Sequence, residues 1–360
     1  MSGQNRARRR RRWALLLLVP LLAAATACGG DDDDSDTAAA GDAEANDGGE
    51  GEGGGSGETI ELGYSAWPGW FVWAVADEAG IFDDVGVDVE LVYFTDYLGS
   101  LDAMVAGELD ANSQTLNDTL VSVSSGADQR IVLVNDNSAG NDAIIVDESI
   151  ESVEDLEGKT VAAELGVVDH FLLLQGLADA GMTEEDIDFR GVLTADAAAG
   201  FAGGEYDGVG VFAPFTLQAL EREGSHVLFD SSDYPGTIPD HLVVSGDLVE
   251  ERPEDVQLLI DAWYATLDYM EENPDEALEI LAEAAELTPE EYATFEEGTK
   301  IFTAEEAMEA FEGEEAPVGL TPMAEQINEF LVETELAEEP AELDGLFDPS
   351  FTADYVERNG

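Results

Sequence analysis

The sequence predicts an α/β protein of two lobes, with a mixed sheet in each and a helical C-terminal tail. Three observations carry this. From Thr59 onward, strand-like and helix-like stretches alternate, the pattern of βαβ units. A second such series starts near Ser152, and beyond Glu251 only helical periodicity continues. At 360 residues the chain is long enough for two α/β lobes.

The N-terminal region is set apart by composition. Six of the eleven arginines lie between Arg6 and Arg12, followed by the apolar run Trp13–Leu22 and small residues from Ala23 to Ala27. That order defines a signal peptide, too short for a comfortable membrane span. Cys28, the only cysteine, sits where the cleavage site ends, so no disulfide can form within the chain. The segment resembles a bacterial lipobox, with Ala25 where the usual pattern has Leu. The resemblance implies cleavage before Cys28 and acylation there, and two or more acyl chains make a stable anchor. Asp31–Gly57 is mostly Asp, Glu, Gly, Ser and Ala with no aromatic residue. It buries too little apolar surface to fold and reads as a disordered acidic tether.

The first folded stretch runs from a strand at Thr59–Tyr64, through the turn Ser65–Trp70, to an apolar helix at Phe71–Ala79 closed by Gly80. Further strands are expected at 87–94, 109–114, 130–135 and 142–146, with helices at 100–105 and 116–123. In the second series a helical turn and strand span 153–162, and a helix spans Phe171–Ala180. Strands follow at 188–193, 206–212, 227–229 and 241–244, with helices at 195–202 and after Ala213. The tail reads as helices at Pro253–Glu272, Pro274–Glu286, Pro289–Gly298, Ala304–Phe311 and Pro322–Glu333, several opened by proline as the first turn permits. Strands near Ile144 and Val243 are the expected crossings between lobes. The expected division is signal peptide 1–27, tether 28–57, first lobe 58–146, second lobe 147–242, and a return to the first lobe with terminal helices at 243–360.

Charge excludes several functions. After Cys28 there are 7 basic against 82 acidic residues, a net of −75. Such a surface does not neutralise phosphate, so no nucleic acid is expected as a partner. It also does not favour docking of the folded part onto anionic lipid. Self-repulsion of this size is relieved by salt, which suits a salty exterior. The melting temperature is therefore expected to rise from low to molar salt; a flat profile would remove the halophilic interpretation.

Several segments together resemble the solute-binding proteins of nitrate/sulfonate/taurine-type ABC importers, and the related binding proteins for thiamine pyrimidine precursors. These are Gly63–Gly69 (GYSAWPG), Ala76–Phe82 (ADEAGIF), Ala106–Ala111 (AGELDA), Asp155–Ala162 (DLEGKTVA) and Tyr206–Pro214 (YDGVGVFAP). The likeness covers Thr59–Val244 well and the terminal helices loosely. It implies a type II periplasmic-binding-protein fold of the venus-flytrap kind, with two hinge strands. It implies a cleft that closes on a small solute and a membrane permease as partner. The expected protein is a monomer held on the outer face of the cytoplasmic membrane through Cys28.

Ligands of open α/β sheets sit where strands end and helices begin. Such turns offer Tyr64, Trp67, Trp70, Gln114, Asn117, Asn141 and Asp142 in the first lobe. They offer Gly166, Val167, Asp169, His170 and Phe212 in the second, with Asp240 near the return crossing. Which of the three aromatics Tyr64, Trp67 and Trp70 faces the cleft is left open, since all three also suit a core beneath the loop. No Arg or Lys falls in these turns, so no arginine clamp for an anion is expected. Acids beside Trp and Tyr suit an amine-bearing group. The expected solute is a small polar organic molecule, sulfonate- or taurine-like or nitrogen-rich. A thiamine pyrimidine precursor, nitrate and bicarbonate are the alternatives. His170, His226 and His241 lack a matched third ligand, so no metal is expected. No cofactor is expected either. No nucleophile elbow appears and the only cysteine is at the anchor, so no catalytic residue is expected.

Overall fold

Two mixed sheets form the frame. The computed structural model describes residues 55–360. The expected signal peptide, Cys28 and the tether up to residue 54 lie outside the described residues. Ser56, at the end of the expected tether, is already docked: its backbone N–H donates to Asp255 Oδ1 (2.7 Å) and its hydroxyl to Oδ2 (2.5 Å).

The first run of elements is β1 (Ile60–Ser65), α1 (Val72–Ala79), α2 (Ile81–Val85), β2 (Val89–Phe94), α3 (Tyr97–Val105), β3 (Ala111–Thr115), α4 (Leu116–Ser124), β4 (Gln129–Ser138) and β5 (Asp142–Val146). The second run is β6 (Thr160–Ala163), α5 (Val168–Asp179), β7 (Asp188–Gly191), α6 (Thr194–Ala202), β8 (Gly208–Phe212), α7 (Phe215–Ala219), β9 (His226–Asp230) and β10 (Pro239–Ser245). The tail holds α8 (Gly246–Glu251), α9 (Pro253–Glu272), α10 (Pro274–Ala284), α11 (Pro289–Tyr292), β11 (Thr299–Ile301), α12 (Ala304–Glu312), α13 (Leu320–Glu333) and α14 (Ser350–Asn359).

One sheet runs β11-β4-β10-β3-β1-β2 and the other β7-β6-β8-β5-β9. In each, βα units give parallel pairs, while the strands next to the crossings pair antiparallel. β5 hydrogen-bonds to β8 and β9 in the second sheet. The first passage between sheets is therefore at Ala139–Asn141, before Ile144 and ahead of the boundary at 146 that the sequence pattern suggests. On the return, β10 joins the first sheet from Pro239, slightly ahead of the expected 243. The two passages are tied together: Ser138 Oγ lies 2.7 Å from Ser231 Oγ, and Gly140 N–H donates to the same Ser231 oxygen at 2.7 Å.

The first lobe is built around Trp73 and Trp263, both fully buried, with ring centroids 4.7 Å apart. Trp73 Nε1 donates to Ser113 Oγ (3.0 Å), satisfying the one polar atom that its burial strands. α14 packs on α9 and β4, and Phe347 bridges to Ile131, so the chain end covers the first sheet as expected for the return. α13 also reaches the second lobe, where Phe330 meets Phe171 edge-on at 5.4 Å.

In the second lobe, Gly176 lies in the middle of α5 because Phe229 of β9 lies against its backbone. A Cβ there would stand 2.1 Å from Phe229 Cζ. Gly176→Ala is expected to destabilise by about 1–3 kcal/mol through overpacking, although Ala is the better helix former. A lowered denaturation midpoint would show this; an unchanged or raised midpoint would contradict it.

Candidate functional site

The strand-to-helix turns of both sheets converge on a cleft with two chambers. The inner one is lined by Ala66, Trp67, Trp70, Tyr97, Thr115 and Asp240 from the first lobe, and Asp142, Val168 and Phe212 from the second. Its free volume is about 10 Å³, on the order of one water. The outer chamber, about 200 Å³, shares Ala66, Tyr97 and Phe212 and adds Asp96, Glu164, Thr194 and Phe215 among others.

The aromatic wall is positioned by the turn after β1. Backbone N–H groups of Trp70 and Phe71 both donate to the Trp67 carbonyl, curling the chain into α1. Gly69 permits this: a Cβ there would lie 2.0 Å from Asp136 Oδ2. Trp67 Nε1 donates to Asp136 Oδ1 (2.9 Å), and Tyr292 Oη donates to the Pro68 carbonyl (2.7 Å). Trp70 then meets Trp67 at 6.4 Å and Tyr97 at 5.2 Å, and Tyr97 meets Phe212 of the other lobe edge-on at 6.3 Å. The Tyr97–Phe212 contact is one place where the lobes touch across the cleft.

Behind the aromatics lies a set of buried carboxyls. Burial pushes Asp118, Asp136 and Asp142 each up to about 7. Burial also drives Asp169 and Asp240 well above the ordinary carboxylate range, with neighbouring acids adding to it. Asp240 and Asp136 are cross-strand neighbours, and the charge of Asp136 adds to burial in raising Asp240. Asp118 accepts from Thr115 Oγ1 (2.7 Å) and Asn117 Nδ2 (2.8 Å). Asp142 Oδ2 and Glu164 Oε1 are buried with no donor within the described residues. Cations do not offset this. Arg130, Arg190, Arg222, Arg252, Lys300 and Arg358 pair with acids elsewhere, and neither chamber is lined by Arg or Lys.

The residues picked from sequence are placed as follows. Trp67, Trp70, Asp142, Phe212 and Asp240 meet at the inner chamber. Tyr64 does not; it packs inward between Phe71 and Tyr93. Gln114 is buried in the sheet, its amide nitrogen donating to Thr119 Oγ1 (2.8 Å) and its oxygen accepting from Asn112 (3.1 Å). Asn117 is held by Asp118. Asn141 donates to Phe295 O and Thr299 Oγ1, tying the crossing to β11. Gly166 and Val167 shape the start of α5, where Gly166 N–H donates to His170 Nδ1 (3.2 Å). Asp169 caps inward, accepting from Glu164 N–H and His170 N–H. His170 stacks on Phe189 and bonds Glu184 at 2.6 Å, and it lines neither chamber. Burial lowers His241 to about 3, so it is a neutral core group beside Thr119.

Two further strand-end turns also face the cleft. Thr95-Asp96-Tyr97 follows β2 and Leu193-Thr194 follows β7, and the strand-end rule applied there would have found Tyr97 and Thr194. Asp136 carries no such signal, since it sits within a strand.

A two-lobed frame with a chamber between the lobes is a geometry that can hold a small solute. The chain belongs to the NMT1-like family, whose profile matches residues 54–286. It is similar to a Brucella abortus (strain 2308) protein described as a binding protein, 26% identical over 253 residues, covering 69% of this chain and 78% of that one. It is also similar to the taurine-binding periplasmic protein of Escherichia coli (strain K12), 27% identical over 158 residues, covering 43% and 49% of the two chains. Among solved structures, the fold matches the alkanesulfonate-binding protein SsuA from Xanthomonas axonopodis pv. citri bound to MOPS. That match has a TM-score of 0.68 at 18% identity, covering 81% of this chain and 98% of that one. The fold expected from the sequence and its kinship with the sulfonate/taurine class of importer binding proteins both hold.

Proposed function

We propose that this protein is the lipid-anchored, extracytoplasmic solute-binding component of an ABC importer. It captures a small polar organic solute between its lobes and delivers it to a membrane permease. The observation that carries this is the inter-lobe chamber, lined by Trp67, Trp70 and Tyr97 on one side and Phe212 on the other. A contact such as Tyr97–Phe212 joins the lobes only when they close, and a solute that adds contacts to both lobes favours that state. Anchoring through Cys28 and release to a permease rest on the family likeness. The relatives' names point to sulfonates and taurine; the acid lining of this cleft favours a nitrogen-rich solute.

A thermal-shift screen of the purified protein in high salt tests this, using taurine, alkanesulfonates, nitrate, bicarbonate, aminopyrimidines and simple amines. A solute at 100 times its Kd is expected to stabilise by about 2.7 kcal/mol. No shift with any class would overturn the binding function. Chemical turnover of the bound solute would overturn its non-catalytic character.

A further inference from the structure

We propose that the inner chamber is a seat for a primary ammonium group, so the solute of this protein is a small organic amine carrying net positive charge. This rests on the solute-binding function above and names its ligand class.

The chamber has the chemistry of a cation site from three independent directions. Asp142 lines it, and its Oδ2 is buried and meets no donor in the described residues. Asp240 lines it as well, with Asp136 directly behind. Buried polar atoms are nearly always partnered, so an orphaned carboxylate oxygen beside a cavity marks a missing donor. The rest of the lining is mainly aromatic: Trp67, Trp70, Tyr97 and Phe212 border the space, and aromatic rings attract a desolvated cation, while the unpartnered Trp70 Nε1 can donate to an acceptor elsewhere on the same solute. Finally, neither chamber is lined by Arg or Lys, so the acids stay protonated unless a positive charge arrives with the ligand. No group of three His, Cys, Asp or Glu among the described residues is placed to hold a metal ion.

Size selects the kind of cation. Free space of about 10 Å³ admits a head group near the size of water, which an –NH₃⁺ is and a trimethylammonium is not. Three N–H donors also suit carboxylate acceptors, which a quaternary nitrogen cannot use. The carbon chain then leads into the outer chamber of about 200 Å³. There Glu164 Oε1 is a second buried, orphaned oxygen, with Asp96 and Asp196 also in the lining. A second nitrogen is accommodated there, and a sulfonate or carboxylate tail is repelled.

Isothermal titration of the purified protein at pH 8 with putrescine, choline and methanesulfonate decides the matter. Putrescine is expected to bind at least tenfold tighter than choline, with no detectable binding of methanesulfonate. Asp142→Asn is expected to weaken putrescine at least tenfold. On the unmutated protein, repeating the putrescine titration near pH 7 in two buffers of different ionisation enthalpy is expected to show proton release. Methanesulfonate binding as tightly as putrescine, choline matching putrescine, or no proton release would overturn the proposal. If taurine, nitrate or an aminopyrimidine binds but no simple amine does, the ammonium seat is wrong and the importer function stands. If no solute binds at all, both fall.

Discussion

Replacing Asp142 by Asn is expected to make the unliganded protein more stable while weakening its affinity for amines at least tenfold. The Asp142 carboxyl is buried and pushed up to about 7, above an ordinary value of 3.8. At pH 8.5 the folded state must hold it ionised without a cation beside it. A shift of this size corresponds to about 4 kcal/mol of lost stability at that pH, and asparagine keeps the shape without the charge. Allowing for relaxation around the site, a gain of roughly 2–3 kcal/mol is expected, several degrees in Tm. Binding sites commonly trade stability for function in this way. A variant that melts below the unmutated protein at pH 8.5, or that binds putrescine as well, would contradict the assignment.

The unliganded protein is also expected to melt several degrees higher at pH 5.5 than at pH 8.5. Asp118, Asp136 and Asp142 are each raised to about 7, and burial and neighbouring acids raise Asp169 and Asp240 as well. Between the ordinary carboxylate range and pH 7 the folded state therefore holds more protons than the unfolded chain. The stability these groups contribute is full below their unfolded values and is lost as pH rises through 7. The groups around them reinforce this. Glu164 and Asp230 are acids, burial keeps Tyr97 and Tyr292 un-ionised, and Trp67, Thr115 and Ser138 offer only neutral donors. Carboxyls held low by hydrogen bonds or arginine, such as Asp147 and Asp255, act the other way, but only at more acidic pH. Adding putrescine is expected to flatten the profile, because the cation favours the ionised acids that high pH produces. A Tm that rises from pH 5.5 to 8.5 without ligand would contradict the acid-rich site.

Much of the fold was legible because it follows periodicity and punctuation. α9 runs from Pro253 to Glu272 as the proline-opened apolar pattern implied. The alternating run at 87–94 became β2. The elements that escaped are short or weakly marked. β11 is three residues paired only with β4, and nothing local distinguishes Thr299–Ile301 from a loop. α14 lies in a tail whose composition is polar, although Phe351, Tyr355 and Val356 recur at helical spacing and pack on the first lobe. The candidate site was half legible. Trp67, Trp70, Asp142, Phe212 and Asp240 all follow from the rule that strand ends face the ligand. Asn141 and His170 sit at such ends too, but their side chains turn to Phe295 and Glu184. Side-chain direction is set by packing between elements distant in sequence, which a local pattern does not encode. The same holds for Asp136, which reaches the site only because Gly69 and Trp67 fold down onto it.

The cleft is expected to close on a positively charged nitrogen at Asp142. A crystal structure of the protein grown with putrescine tests it most directly. The expected result is one nitrogen between Trp67, Trp70, Tyr97 and Phe212, within about 3 Å of Asp142 Oδ2. An empty inner chamber with the amine bound elsewhere, or an anion seated against these aromatics, would contradict it.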